Sequence, residues 1–163
     1  RRRQRQMCIR DRITQYTKGA GFGMAPAITP GSLFTGRFEF QAVTDPKEQL
    51  KLTKFGISYT KKPLYFKGAF KYKAGDNFVD GSDKNDVKEN TGDKDQCGIY
   101  ALLYEATNEK EEEVILDGNT ITNSEYRVAI AQIKDGSDTE DKWVEFNEAF
   151  TYFEGKVLSL IHI

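Results

Sequence analysis

Hydrophobic and polar positions alternate along most of this chain with a period of two rather than 3.6, which is the signature of strands with one covered face. Over residues 33–43, Phe34, Gly36, Phe38, Phe40 and Ala42 fall on one side. Thr35, Arg37, Glu39 and Gln41 fall on the other. Prolines and glycines at Ala25-Pro26 and Pro30-Gly31 mark a loop before this run, and Asp45-Pro46 ends it. Residues 63–73 repeat the pattern, with Leu64, Phe66, Gly68, Phe70 and Tyr72 opposite Tyr65, Lys67, Ala69, Lys71 and Lys73. Residues 98–106 form an apolar run in which Ile99, Ala101 and Leu103 oppose Tyr100, Leu102 and Tyr104. Residues 109–113 read as a solvated turn before Val114-Ile115-Leu116, and Asp117-Gly118 is a strong turn signal. Residues 126–133 give a further strand. In the last run, residues 143–153, Val144, Phe146, Phe150 and Tyr152 face away from Trp143, Glu145, Asn147, Ala149 and Thr151. Helical stripes rich in Ala or Leu are absent, and no internal repeat is visible. The expected fold is all-β, an antiparallel β-sandwich or jelly roll.

The two ends alter every count. One codon choice for residues 158–163 is CTG TCT CTT ATA CAC ATC, whose reverse complement is GATGTGTATAAGAGACAG. In a second frame, ATG TGT ATA AGA GAC AG, that strand encodes Met7-Cys8-Ile9-Arg10-Asp11 and opens a codon that suits Arg12. One short DNA element in opposite orientations writes both ends, as a transposon end from library preparation would. Residues 1–12 and 158–163 are therefore expected to be foreign, and residues 13–157 to form a single incomplete domain.

Removing the ends takes six of the 24 Lys and Arg and one of the 25 Asp and Glu. That leaves 18 basic and 24 acidic residues and a net charge of −6. Such an acidic domain lacks the basic face that nucleic acid requires. The single histidine, His162, goes with the end, and with it any Ser-His-Asp or Cys-His catalysis and any His-based zinc site. Cys97 is then alone before an apolar strand and reads as a small core residue. No run approaches the length of a membrane-spanning helix. No signal peptide is visible, and the foreign end leaves export open.

The residues resemble a known family, the putative carbohydrate metabolism domain or PCMD, found in exported proteins of Bacteroidetes. The resemblance is carried by Gly31-Ser32-Leu33-Phe34-Thr35-Gly36-Arg37-Phe38, by Phe55-Gly56-Ile57, and by Lys67-Gly68 with Lys71-Tyr72-Lys73 and Gly75. It continues through Asp95, Ile99-Tyr100-Ala101-Leu102-Leu103-Tyr104, Leu116-Asp117-Gly118, and Trp143-Val144-Glu145-Phe146 with Phe150 and Tyr152. It implies a jelly roll similar to carbohydrate-binding modules, truncated here before the family's last strands. It also implies a lipoprotein-like, multidomain setting: export to the periplasm or the outer-membrane surface, a lipid anchor outside this segment, and neighbouring domains in the parent chain.

The chemistry expected is recognition of a glycan, because sugar rings stack an apolar face on Trp and Tyr while their hydroxyls need polar neighbours. Opposite the Phe-rich stripes lie Tyr65, Tyr100, Tyr104 and Trp143, with Arg127, Asn147 and Glu145 to accompany them. Strand parity alone leaves open whether these rings form a platform or a second packed layer. The segment from Asp76 to Asp95 also contains Asp80, Asp83, Asp86 and Asp93, an oxygen-rich set of the kind calcium takes. It does not follow the EF-hand pattern, and no cofactor or metal is expected; Asp95, at the mouth of a strand, is expected to have a structural role. Acids such as Glu105 and Glu145 are plentiful, yet nothing in the pattern sets two of them across a glycosidic bond. The Gly19-Ala20-Gly21-Phe22-Gly23 stretch has no strand before it and no helix after it, so it is not a dinucleotide loop. The expectation is a non-catalytic carbohydrate-binding module. A structural or protein-contact sandwich and a glycoside hydrolase fragment are the alternatives.

Overall fold

Alternating side chains need a second layer to cover one face, and the architecture shows which faces find one. A computed structural model describes residues 15–16, 28–29, 31–41, 45–76, 78–80, 88–89, 92–156 and 161–163. Cys8, Gly19-Ala20-Gly21-Phe22-Gly23, Asp83, Asp86 and most of both ends lie outside the described residues. The chain divides into two units, residues 1–34 and residues 35–163. In the first, strands β1 (Gln15–Tyr16) and β2 (Ile28–Thr29) pair antiparallel.

The second unit holds β3 (Gly36–Phe38), a helix α1 (Pro46–Lys51), β4 (Thr53–Phe55), β5 (Ser58–Tyr59), β6 (Tyr65–Phe70), β7 (Val79–Asp80) and β8 (Lys88–Glu89). It continues with β9 (Tyr100–Glu105), β10 (Arg127–Gln132), β11 (Val144–Ala149), β12 (Thr151–Tyr152) and β13 (Ile161–His162). A five-stranded antiparallel sheet runs in the order β12-β10-β9-β13-β5. Three two-stranded pairs, β6 with β11, β3 with β4 and β7 with β8, complete the described sheets. The fold is thus an all-β antiparallel sandwich.

The β9–β10 pair is its centre, buried on both sides. On one side Leu102, Tyr104, Val114, Leu116 and Ile121 cluster, with Phe55, Tyr126 and Ile130 against them. On the other, Leu103, Val128 and Ala129 meet Tyr59, Phe150 and Tyr152. A register shift between Arg127 and Ala129 lets the adjacent Val128 and Ala129 both turn inward. Strands covered on both faces read as continuous apolar runs, which is the pattern of Ala101-Leu102-Leu103-Tyr104.

Four segments differ from the alternation pattern. Of the expected strand at residues 33–43, the described part, residues 33–41, holds β3, which pairs with β4, and Phe38 and Phe40 are 56% and 89% exposed; residues 42 and 43 lie outside the described residues. Residues 114–116 are extended cover rather than a strand: Val114 and Leu116 fill the core while Phe55 N donates to Leu116 O. Asp117-Gly118 does form a turn, in which Asp117 Oδ1 accepts from Asn119 N at 2.9 Å. Residues 46–51, which follow the expected strand end at Asp45-Pro46, form α1, where Pro46 takes the first helical position and Gln49 N donates to Asp45 O. Residues 161–163 continue the central sheet: β13 pairs with both β9 and β5, and His162 stacks on Tyr104 at 5.2 Å. An unpaired strand edge accepts any extended segment that reaches it, so this position follows from backbone pairing.

Candidate functional site

The β6–β11 ribbon presents the strongest surface for ligand. Its register pairs Tyr65 with Ala149, Lys67 with Asn147, Gly68 with Phe146, Ala69 with Glu145 and Phe70 with Val144. Paired residues share a face, so the two strands sort their side chains together. The inner face carries Phe66, Phe70 and Phe146, whose rings meet at 4.9 Å (Phe66–Phe146) and 6.3 Å (Phe70–Phe146). Glu148 sits on this inner side, opposite Phe66.

The outer face carries Tyr65, Lys67, Ala69, Glu145, Asn147 and Ala149, all exposed. Trp143 continues it one residue before β11. Tyr65 and Trp143 are 55% and 58% exposed, large aromatic areas left in water at opposite ends of one surface. The Lys67 ammonium lies 5.2 Å from the Tyr65 ring centre, a cation–π contact that fixes polar groups beside the ring.

The turn leading to Trp143 is held firmly. Thr139, a buried polar residue, donates its backbone N–H to Tyr72 O at 2.9 Å, and its hydroxyl oxygen accepts from Tyr72 N at 3.1 Å. The Asp138 carboxylate accepts from Ala74 N at 3.0 Å and from Glu140 N at 2.8 Å. Lys71 bridges to Asp141 at 2.8 Å, and this contact holds the Asp141 carboxyl below the usual range. Glu140 and Asp141 both adopt positive φ, 51° and 64°, to turn the chain back into β11.

Four of the sequence candidates share this face: Tyr65, Trp143, Glu145 and Asn147. The others do not. Tyr104 is only 1% exposed, and its hydroxyl donates to Phe55 O at 2.5 Å, so its ring is core and offers no stacking surface. The parity that sets it opposite Leu103 is real, but both faces of β9 are covered. Tyr100 is exposed at the start of β9, paired with Gln132 in the five-stranded sheet, away from the ribbon's register. Arg127 is spent on structure: its guanidinium donates to Ser124 O at 3.0 Å and to Thr122 O, and it lies 5.4 Å from the Phe153 ring. Lys67 is the residue of this face that the choice of aromatic and amide candidates passes over. It shares Tyr65's parity, and that shared parity is its signal in the sequence.

Asp95 accepts from the Tyr72 hydroxyl at 2.7 Å and from Gln96 N at 2.9 Å, a structural role. A polar hollow of about 380 Å³ lies nearby, lined among others by Asp76, Phe78, Asp93, Lys94 and Asp138. Among the described residues, no group of His, Cys, Asp and Glu is arranged to hold a metal ion. Glu105 is paired with Lys156 at 3.4 Å and belongs to the central sheet, whereas Glu145 belongs to the ribbon. Burial pushes the Cys97 thiol up, away from the reactive thiolate, and its N–H donates to Gly136 O.

A family model described as "Putative carbohydrate metabolism domain" matches residues 5–162. Two crystal structures, each described as "a putative glycoside hydrolase", are similar to this chain. The one from Bacteroides thetaiotaomicron shares 33% identity at a TM-score of 0.73, over 92% of this chain and 44% of that one. The one from Bacteroides vulgatus shares 30% identity at a TM-score of 0.67, over 92% of this chain and 61% of that one. The chain thus spans roughly half the length of these solved structures. No curated protein matches it. Fold and comparisons define the class, an all-β domain related to carbohydrate metabolism. The chain belongs to the PCMD family.

Proposed function

We propose that this chain is a non-catalytic glycan-binding module of an exported bacterial surface protein, and that the outer face of the β6–β11 ribbon is its binding surface. The observation that carries the reading is the pairing of exposed Trp143 and Tyr65 on one face with Lys67, Glu145 and Asn147 between them. Aromatic rings supply stacking area, and the amide, ammonium and carboxylate groups supply the donors and acceptors that sugar hydroxyls need. The absence of catalysis is part of the proposal: the acids named from the sequence, Glu105 and Glu145, stand on different sheets, and Glu105 is tied to Lys156. The surface location, the lipid anchor outside this segment and the neighbouring domains rest on the family resemblance.

The test is a binding screen of the chain against plant and host polysaccharides beside Trp143→Ala. Saturable binding that the variant loses while keeping its fold supports the reading. Failure of the folded chain to bind any glycan overturns it in favour of a protein-contact domain, the reading that exposed Phe38 and Phe40 would then support. Release of reducing sugar by the chain would establish a hydrolase instead.

A further inference from the structure

We infer that the ligand of the ribbon face is an extended, uncharged glycan chain laid along β6 and β11 and touching Trp143 and Tyr65 at its two ends; this rests on the glycan-binding reading above. Length is the first argument. Tyr65 pairs with Ala149, while Trp143 precedes Val144, so six residues along β11 separate the two aromatic positions. At the rise of a β-strand that is about 20 Å. A monosaccharide cannot touch both rings, whereas a chain of several linked pyranoses spans them.

Relief is the second argument. The positions between the aromatics are Ala69 and Ala149, which do not project, and Lys67, Glu145 and Asn147, which can bond to hydroxyls. A flat, exposed strip suits the side of a chain rather than its enclosed end.

Charge is the third. The face and its turn bring three cations, Lys67, Lys71 and Lys142, and four anions, Asp138, Glu140, Asp141 and Glu145. Lys67 is drawn over the Tyr65 ring at 5.2 Å, and Lys71 is paired with Asp141 at 2.8 Å. No single-sign field remains to attract a polyanionic glycan, which would need a basic stripe.

The experiment titrates the full chain with cello-oligosaccharides and malto-oligosaccharides, from the monosaccharide to the octasaccharide, and with heparin as a polyanion, at low and high salt. The inference expects affinity to climb with chain length in at least one neutral series and then level off, with little salt dependence. Trp143→Ala and Tyr65→Ala are each expected to weaken the longest ligand by about 3- to 10-fold, the range of one aromatic stacking contact. Both residues are exposed, so an unchanged melting transition shows that the variants fold.

Equal affinity for short and long oligosaccharides, or loss in only one of the two variants, would overturn the inference while leaving glycan binding standing. So would a preference for heparin that fades with salt. Absence of binding to every neutral polysaccharide and to heparin would overturn the glycan-binding reading itself.

Discussion

The ring of Phe146 lies across the backbone of Gly68, its register partner on β6. A Cβ at Gly68 would stand 2.6 Å from Phe146 Cζ and 2.7 Å from Cε1, so the absent side chain is what lets the ring close the inner face of the ribbon. Gly68→Ala must push that ring off its contact with Phe66. Overpacking of this kind costs about 1–3 kcal/mol, to be read as a lower midpoint in urea unfolding with an unchanged slope. Pairing it with Phe146→Leu should return part of the loss, and a strictly additive double mutant would show that the two positions are not coupled as described.

Leu103 tests where the centre of the sandwich lies. It is fully buried between β10 and the aromatic cover of Phe150 and Tyr152. Leu103→Ala should lose about 2–5 kcal/mol through the lost transfer energy and the cavity left behind. Leu64, on the ribbon's edge and exposed, should change by no more than about 0.5 kcal/mol in Leu64→Ala. Comparable losses at both sites would misplace the core.

Three tyrosines set the alkaline limit. Burial, joined in Tyr72 by its hydrogen bond to Asp95, raises the Tyr72 phenol well above its ordinary value of 10.0; burial also raises Tyr104 and Tyr152. Above pH 10 the unfolded chain releases these protons while the folded chain keeps them. Their contribution is therefore whole below the unfolded value and is lost as pH climbs toward the folded one. The melting temperature should hold near neutral pH and fall above pH 10, with a shallower fall in Tyr72→Phe. On the acid side, Lys71 depresses Asp141, so its small share is present above its ordinary pKa of 3.8 and disappears as pH drops through the folded value. A flat alkaline limb would contradict the placement of Tyr72 against Asp95.

Legibility follows from how each strand is covered. β6 and β11 have one covered face and one in water, so period-two parity by itself brings Tyr65, Trp143 and Asn147 to one side. β9 has two covered faces, and parity there distinguishes one core layer from another. That is why the sequence leaves Tyr104 open between a platform ring and a second packed layer, and the fold makes it core. Arg127 departs from expectation for a different reason: its partners, the carbonyls of Thr122 and Ser124, lie in a turn whose path no local pattern reports. The α1 segment does carry a local signal, Asp45-Pro46 followed by Glu48, which is the chemistry of a helix start as well as of a strand end.

Tyr104 supplies a control for the ribbon. Its hydroxyl donates to Phe55 O, and Tyr104→Phe leaves that carbonyl one donor short without opening the surface. The expected cost is about 0.5–1.5 kcal/mol in unfolding, with titration by the longest neutral oligosaccharide unchanged. Loss of binding in a variant that still folds would restore Tyr104 to the site and remove the ribbon's claim to be the whole of it.

The turn before Trp143 carries backbone strain that can be relieved without touching the ligand face. Glu140 sits at φ 51°, a left-handed conformation that costs a residue with a side chain roughly 1–2 kcal/mol. Glycine adopts it freely, at the expense of about 0.5–1 kcal/mol of extra chain entropy in the unfolded state. The exposed Glu140–Lys142 pair at 3.2 Å adds little, since surface ion pairs are screened. Glu140→Gly should therefore stabilise the chain by up to about 1 kcal/mol and leave Trp143 fluorescence and glycan affinity as they were. A destabilised variant with a shifted Trp143 emission would show that the Glu140 side chain, rather than the clamp of Thr139 on Tyr72, holds the turn.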